Sequence, residues 1–199
     1  MNILAHAFLS KHSTPLMIGN FIADFVKGNQ FKKYETGIAR GIILHRYIDD
    51  FTDKHPVFLR SKDRIREHYR HYSAVVIDVF YDHYLARDWS EHAGGDLEEF
   101  TVWVYKILKS RLDEFPEKAR MVLPYIVKGN WLLRYADKDG IDRSLKGMAA
   151  RSRHNSGMEN AINDLNRYYQ EFEEDFREFL PQITAFVKEK EGILQEGLI

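Results

Sequence analysis

The sequence predicts an all-α fold, a single-domain helical bundle over residues 1–199, and three observations predict it. Apolar residues recur at helical spacing along nearly the whole chain. Helix-starting and helix-ending residues punctuate that pattern at regular intervals. Strand signals are almost absent: Val75-Val76-Ile77 is a short β-branched run, yet Ala74, Asp78, Tyr81, Asp82 and Leu85 around it fit a 3.6-residue period. No glycine-rich phosphate loop follows a strand, so dinucleotide-binding and P-loop folds have no support. At about 150 residues per domain the chain is long enough for one domain with a full core.

The elements follow in order. The start around His6 is apolar and reads as either strand or helix. Thr14-Pro15 reads as an N-cap with proline in the first turn, and Gly28 closes that segment. A second helix runs from about Tyr34 to Asp53 and stops before Pro56. A basic stretch covers Val57 to Tyr69, and a fourth helix Ser73 to Trp89, ended by Gly94-Gly95. Asp96 caps a helix reaching Phe115, and Pro116 opens another. Short pieces follow at Trp131–Tyr135 and Asp142–Ala150. The last helix runs from Met158 to Lys188, with a break expected near Pro181.

Composition narrows the chemistry. With no cysteine, disulfides, thiolate zinc sites, iron–sulfur clusters and cysteine nucleophiles are excluded. The formal charge is 29 − 30 = −1, so no global field calls for nucleic acid or an anionic membrane. No targeting segment and no membrane span is evident, which predicts a cytoplasmic protein. Nine histidines are left, and without cysteine the good metal ligands are His, Asp and Glu.

Those ligand types sit on apolar stripes. Ile38, Ile42, His45 and Asp49 share one helix face, and Ala74, Asp78, Asp82 and Leu85 repeat the arrangement. Asp24 follows Met17 and Phe21 on the packed face of the first helix. An unpartnered buried carboxylate costs several kcal/mol or takes a proton. A divalent cation between the helices would compensate all three. The competing reading has each acid capping a helix or pairing with an arginine such as Arg40 or Arg46. A register shift would make Asp50 or His83 the inward residue in place of Asp49 or Asp82. His12, His55, His68, His71, His92 and His154 have polar neighbours and read as surface residues.

Several segments together resemble the acyl carrier protein phosphodiesterase family. They are Met1-Asn2-Ile3-Leu4-Ala5-His6, the run from Gly19 to Gly28, the run from Gly41 to Asp49, Thr52-Asp53, and the run from Asp78 to Trp89. Trp131–Tyr135 and Gly147–Arg151 add weaker matches. The resemblance implies an all-α fold distantly similar to HD-domain metal-dependent phosphohydrolases, although this chain has no adjacent His-Asp doublet and its Asp82-His83 is reversed. It implies hydrolysis of the phosphodiester joining 4′-phosphopantetheine to a serine of holo-acyl carrier protein, assisted by Mn²⁺ or Mg²⁺. On that reading His6, Asp24, His45 and Asp78 are the expected metal ligands. Asp24, His45, Asp49 and Asp82 are the expected catalytic set, and Arg46 and Arg151 the expected phosphate-binding cations.

A protein substrate needs a docking face. Residues 54–71 carry six Lys or Arg against Asp63 and Glu67, and the resemblance implies an acidic partner, so Arg60, Lys62, Arg64 and Arg66 are the expected docking residues. Residues 171–178 carry the opposite bias, five acids against Arg177. Two other readings stay open at this point: a metal phosphohydrolase acting on a nucleotide or small phosphoester, and a non-catalytic helical module that binds an acidic protein.

Overall fold

The computed structural model describes residues 2–197, so Met1 of the N-terminal motif lies outside the described residues. Among the described residues are twelve α-helices, short 3-10 turns and no strand, as the sequence predicts. α1 spans Ile3–Leu9, α2 Thr14–Ile22, α3 Thr36–Lys54, α4 Pro56–Tyr69, α5 Ser73–Arg87 and α6 Trp89–Ala93. α7 spans Leu97–Ser110, α8 Glu117–Lys128, α9 Trp131–Arg134, α10 Lys138–Arg151, α11 Ala161–Arg167 and α12 Tyr169–Gln195. One cluster of buried apolar side chains runs through the fold from Leu4 to Leu194. No described helix is long and apolar enough to cross a membrane.

The tightest pairing is α2 against α3, and two glycines set it. A Cβ on Gly19 would stand 2.1 Å from the Ile38 carbonyl oxygen, and one on Gly41 would stand 2.3 Å from that of Leu16. The two backbones therefore approach at a distance only glycine permits. Ile18 and Ile22 of α2 and Ile38, Ile42 and Ile48 of α3 are fully buried. Each such side chain contributes about 1.5–3 kcal/mol of apolar burial.

Three helix boundaries and the burial of one histidine differ from the sequence reading. The first predicted helix ends at Ile22 and tightens into a 3-10 turn over Ala23–Phe25, so Asp24 leaves the packed stripe. The helix capped by Asp96, whose Oδ1 accepts the Glu99 N–H at 3.0 Å, ends at Ser110 rather than Phe115. The C-terminal helix breaks at Tyr168, not at Pro181, which lies exposed inside an unbroken α12. A solvent-facing proline forfeits one helical hydrogen bond without clashing with the core. His55, read as a surface residue, is buried beside Phe51 and Phe179, and its Nδ1 accepts the Val57 N–H that starts α4.

α12 packs along α3, α4 and α5, and charge as well as apolar area fixes it there. Buried Asp175 takes hydrogen bonds from Arg60 Nε at 2.7 Å, Ser61 Oγ at 2.6 Å and the Arg64 guanidinium. Arg60 also holds Glu178 at 2.6 Å. The basic segment 54–71 and the acidic segment 171–178 are thus in part each other's partners. Arg60 and Arg64 are turned inward against α12 instead of lying free on a docking face. Of the four predicted docking residues, Lys62 is half-buried and Arg66 is exposed, its guanidinium 3.5 Å from Asp63. These two line a surface groove with Arg70 and His71.

Candidate functional site

α1, α2 and α3 converge on one polar cluster in this apolar setting. α1 delivers His6, α2 delivers Asn20, the turn after α2 delivers Asp24, and α3 delivers His45 and, one turn on, Asp49. The His6 and His45 rings are buried and stacked, with centroids 4.1 Å apart and planes 17° from parallel. Asp49 spans them, Oδ1 lying 3.2 Å from His6 Nε2 and Oδ2 lying 3.0 Å from His45 Nε2. Asp24 Oδ1 also reaches His45 Nε2, at 3.2 Å.

Asn20, which sequence reasoning missed, fixes how His45 is presented. Its Nδ2 donates to the His6 carbonyl at 3.2 Å, so its Oδ1 faces His45 Nδ1, 3.1 Å away. An amide oxygen accepts only, so Nδ1 carries a proton and, in the neutral ring, Nε2 offers its lone pair to the cluster. The signal available in the sequence was position alone: Asn20 lies one residue after the glycine that brings α2 against α3.

The electrostatics divide the two imidazoles. Burial and the adjacent His45 push His6 down to about 4, against the pull of Asp49. Burial opposes a charge on His45 too, but its hydrogen bonds to Asp24 and Asp49 overcome that and raise it to about 9. Asp24 is held below the ordinary carboxylate range by His45. Burial disfavours the Asp49 anion, and the hydrogen bonds from His45 and His6 outweigh it, holding its pKa far below that range.

One ligand atom from each of His6, His45 and Asp49 lies within 4.8 Å of the others. Nδ1 of His6 is buried with no hydrogen-bond partner among the described residues. Two imidazoles and one or two carboxylates are a donor set that fits a first-row divalent cation, and a neutral His6 is already in the form a metal takes. The cluster opens on a pocket walled by Ile3, Met17, Phe21, Val104 and Leu108, an apolar slot with its polar groups at one end.

The other expected site residues are placed differently from the sequence reading. Asp24 is in contact with the cluster, but its side chain is 75% exposed rather than buried on a helix stripe. Asp78 is half-buried on α5, is raised to about 6 by burial, and is not part of the three-residue group. Asp82 is fully buried, and its two oxygens accept the N–H groups of Leu4 and Ala5, each at 3.0 Å. It therefore caps the N-terminus of α1 from a neighbouring helix, the helix-capping alternative realised across space. Arg46 spends its guanidinium on the carbonyls of Val26 and Gly28, at 3.0 and 2.8 Å, and so braces the loop that carries Asp24. Arg151 lines a different groove, beside Trp131.

Helical architecture and a paired-histidine, carboxylate cluster at the end of an apolar slot define a candidate hydrolytic centre. The model of one family, acyl carrier protein phosphodiesterase, matches residues 1–183. A relative from Photorhabdus laumondii with that name is 31% identical over 192 residues, covering 96% of this chain and 97% of its own. Relatives of the same name from an Enterobacter species and from Shigella boydii are each 32% identical, covering 96% of this chain and 100% and 99% of theirs. No solved structure matches. The chain belongs to the acyl carrier protein phosphodiesterase family, a family of enzymes.

Proposed function

We propose that the chain hydrolyses the phosphodiester between 4′-phosphopantetheine and a serine of holo-acyl carrier protein. Water adds to phosphorus, the bond to the serine oxygen breaks, and that oxygen takes a proton. The products are apo-carrier protein and 4′-phosphopantetheine. Family membership over residues 1–183 is the observation that carries this reading. The chain is read as one domain working in the cytoplasm on a protein partner, with neither nucleic acid nor membrane involved.

His6, His45 and Asp49, with Asp24 at the solvent side, would hold a divalent cation, Mn²⁺ or Mg²⁺. Such a cation supplies Lewis acidity, making water more acidic and drawing charge from a phosphoryl oxygen. The chain's own groups set the stage. Asn20 fixes the His45 ring, Asp49 ties both imidazoles, and Arg46 holds the loop that presents Asp24. The apolar slot excludes water on one side of the cluster and leaves it accessible at Asp24. Asp82 caps α1 behind this cluster, and half-buried Lys62 and exposed Arg66 remain the cations of the expected docking face.

The test is incubation of purified protein with holo-carrier protein and Mn²⁺ or Mg²⁺, followed by intact-mass analysis. Loss of the prosthetic-group mass, abolished by a chelator and by His45→Ala, is expected. Intact holo-carrier protein under both metals, with cleavage of nucleoside phosphates instead, would replace this reading with the small-phosphoester one.

A further inference from the structure

We propose that Arg134, Arg143 and Arg151 form a binding site for a phosphate-monoester dianion in the groove between α9 and α10. None of its lining residues belongs to the pocket at the His6–His45 cluster, and the inference stands independently of the proposed reaction.

The groove follows from the sequence of α10. Arg143, Ser144, Gly147 and Arg151 fall at helical spacing on one face, so a small residue and a glycine lie between two arginines. Trp131 and Arg134 of α9 form the opposite wall. The result is a groove lined by three arginines together with Ser144 and three glycines.

Arg143 and Arg151 are held in place, and none of the three arginines is neutralised. The Arg151 guanidinium lies over the Trp131 ring, 5.7 Å from its centroid. It also lies over Gly147, where an added Cβ would be 3.5 Å from Nη1. The guanidinium is thus held over the ring, while none of its N–H groups donates to a described residue. Arg143 gives Nε to the Asp139 carbonyl at 3.2 Å, which holds its stem and leaves its terminal nitrogens unbonded. None of the three forms an ion pair with a described carboxylate; the nearby Asp142 is taken by Lys146 at 2.6 Å. By contrast Arg60, Arg64, Arg87, Arg111 and Arg177 each hold a carboxylate of the chain.

Three like charges lining one concave groove repel one another until an anion enters. A guanidinium held over a ring with its N–H groups unbonded offers the planar fork that matches two oxygens of a phosphate. Ser144 adds a hydroxyl donor on the floor. A groove lined by eight residues suits a compact dianion better than a broad acidic surface.

Calorimetric titration of the full chain with inorganic phosphate, after chelator treatment to strip divalent metal, tests this. Saturable one-to-one binding is expected. Arg151→Ala and Arg134→Ala should each weaken it about tenfold. Arg151→Lys should not restore it, because charge survives but fork and stack do not. His45→Ala should leave it unchanged, and glycerol 3-phosphate should bind as well as free phosphate. Helical circular dichroism confirms that each variant is folded. Absence of saturable binding overturns the proposal, and so does binding indifferent to Arg151→Ala or abolished by His45→Ala. Rejection of the ester with retention of free phosphate overturns the monoester assignment. Arg151-dependent binding of a poly-aspartate peptide, with none of phosphate, would assign the groove to an acidic polypeptide and overturn the proposal as well.

Discussion

Asn20 decides what His45 can offer, through a single amide oxygen 3.1 Å from Nδ1. Asn20→Leu removes the acceptor and leaves that N–H buried without a partner. Metal affinity, or turnover with metal, should fall about 10–100-fold while the helical fold persists. Asn20→Asp keeps an acceptor at the same place and should recover a large part of the loss. Titration of metal against wild type and both variants checks this, and equal affinities for wild type and Asn20→Leu would remove Asn20 from the site. Asp82 makes the complementary case. Both its oxygens are committed to backbone N–H groups of α1 in a dry interior. Asp82→Ala leaves two donors unsatisfied, at about 1–3 kcal/mol each. A melting-temperature drop of several degrees is expected, whereas Asp82→Asn, which keeps one acceptor oxygen, should lose less and stay active when folded. Loss of turnover in Asp82→Asn at an unchanged melting temperature would return Asp82 to the catalytic set.

At the scale of elements, the legible parts were those written in local periodicity and punctuation. The α3 stripe placed His45 and Asp49 one turn apart on an inward face; they are one turn apart and in contact, with His45 buried and the Asp49 side chain 38% exposed. The turn after Ile22 was illegible, because Ala23-Asp24-Phe25 continues the helical pattern and only packing with the loop braced by Arg46 tightens it. The role of Asp82 was hidden too, since its partners lie 77 and 78 residues away. Charge runs misled for a related reason. The basic surplus of α4 looked like a face for an external partner, and the acidic surplus of α12 looked unrelated to it. Folding brings them together at Asp175. Asp175→Ala would strand half-buried Arg64 and fully buried Ser61, at about 3 kcal/mol, the low end for a buried pair because Arg60 is partly exposed. Arg60→Glu with Arg64→Glu should likewise lower the melting temperature by several degrees. At a temperature where the variant is folded, kcat on a small phosphodiester should be near wild type. A normal melting temperature with a raised KM for a protein substrate would instead make these arginines docking residues.

Across the whole molecule, charge pairing ties the long C-terminal helix to the far end of α5. Arg87 holds Asp88 at 2.5 Å and Glu173 at 2.9 Å, and Arg177 bridges Glu173 at 3.2 Å to Glu91 at 2.9 Å. The Arg87 hydrogen bonds hold Asp88 and Glu173 below their ordinary pKa values of 3.8 and 4.5. A carboxylate whose folded pKa is depressed binds its proton less readily in the folded chain than in the unfolded one. Its stabilisation is therefore fully present above the unfolded pKa and disappears as pH falls through the folded value. Arg87→Met keeps an unbranched stem of similar length and deletes the guanidinium, whose carbon lies 5.0 and 5.4 Å from the Tyr84 and Tyr169 ring centroids and whose charge causes both shifts. Denaturant unfolding of wild type and Arg87→Met from pH 7 downwards should show wild type more stable by a constant margin down to about pH 5. The margin should then shrink through the range below 4.5 and vanish once both carboxylates are protonated in either state. The same margin should narrow at pH 7 in high salt, since the pairs are partly open to solvent and the Debye length falls to about 3 Å at 1 M. A margin that stays constant to low pH and ignores salt would show that Arg87 stabilises the junction by its contacts with the two tyrosines, and not by its pairing with Asp88 and Glu173.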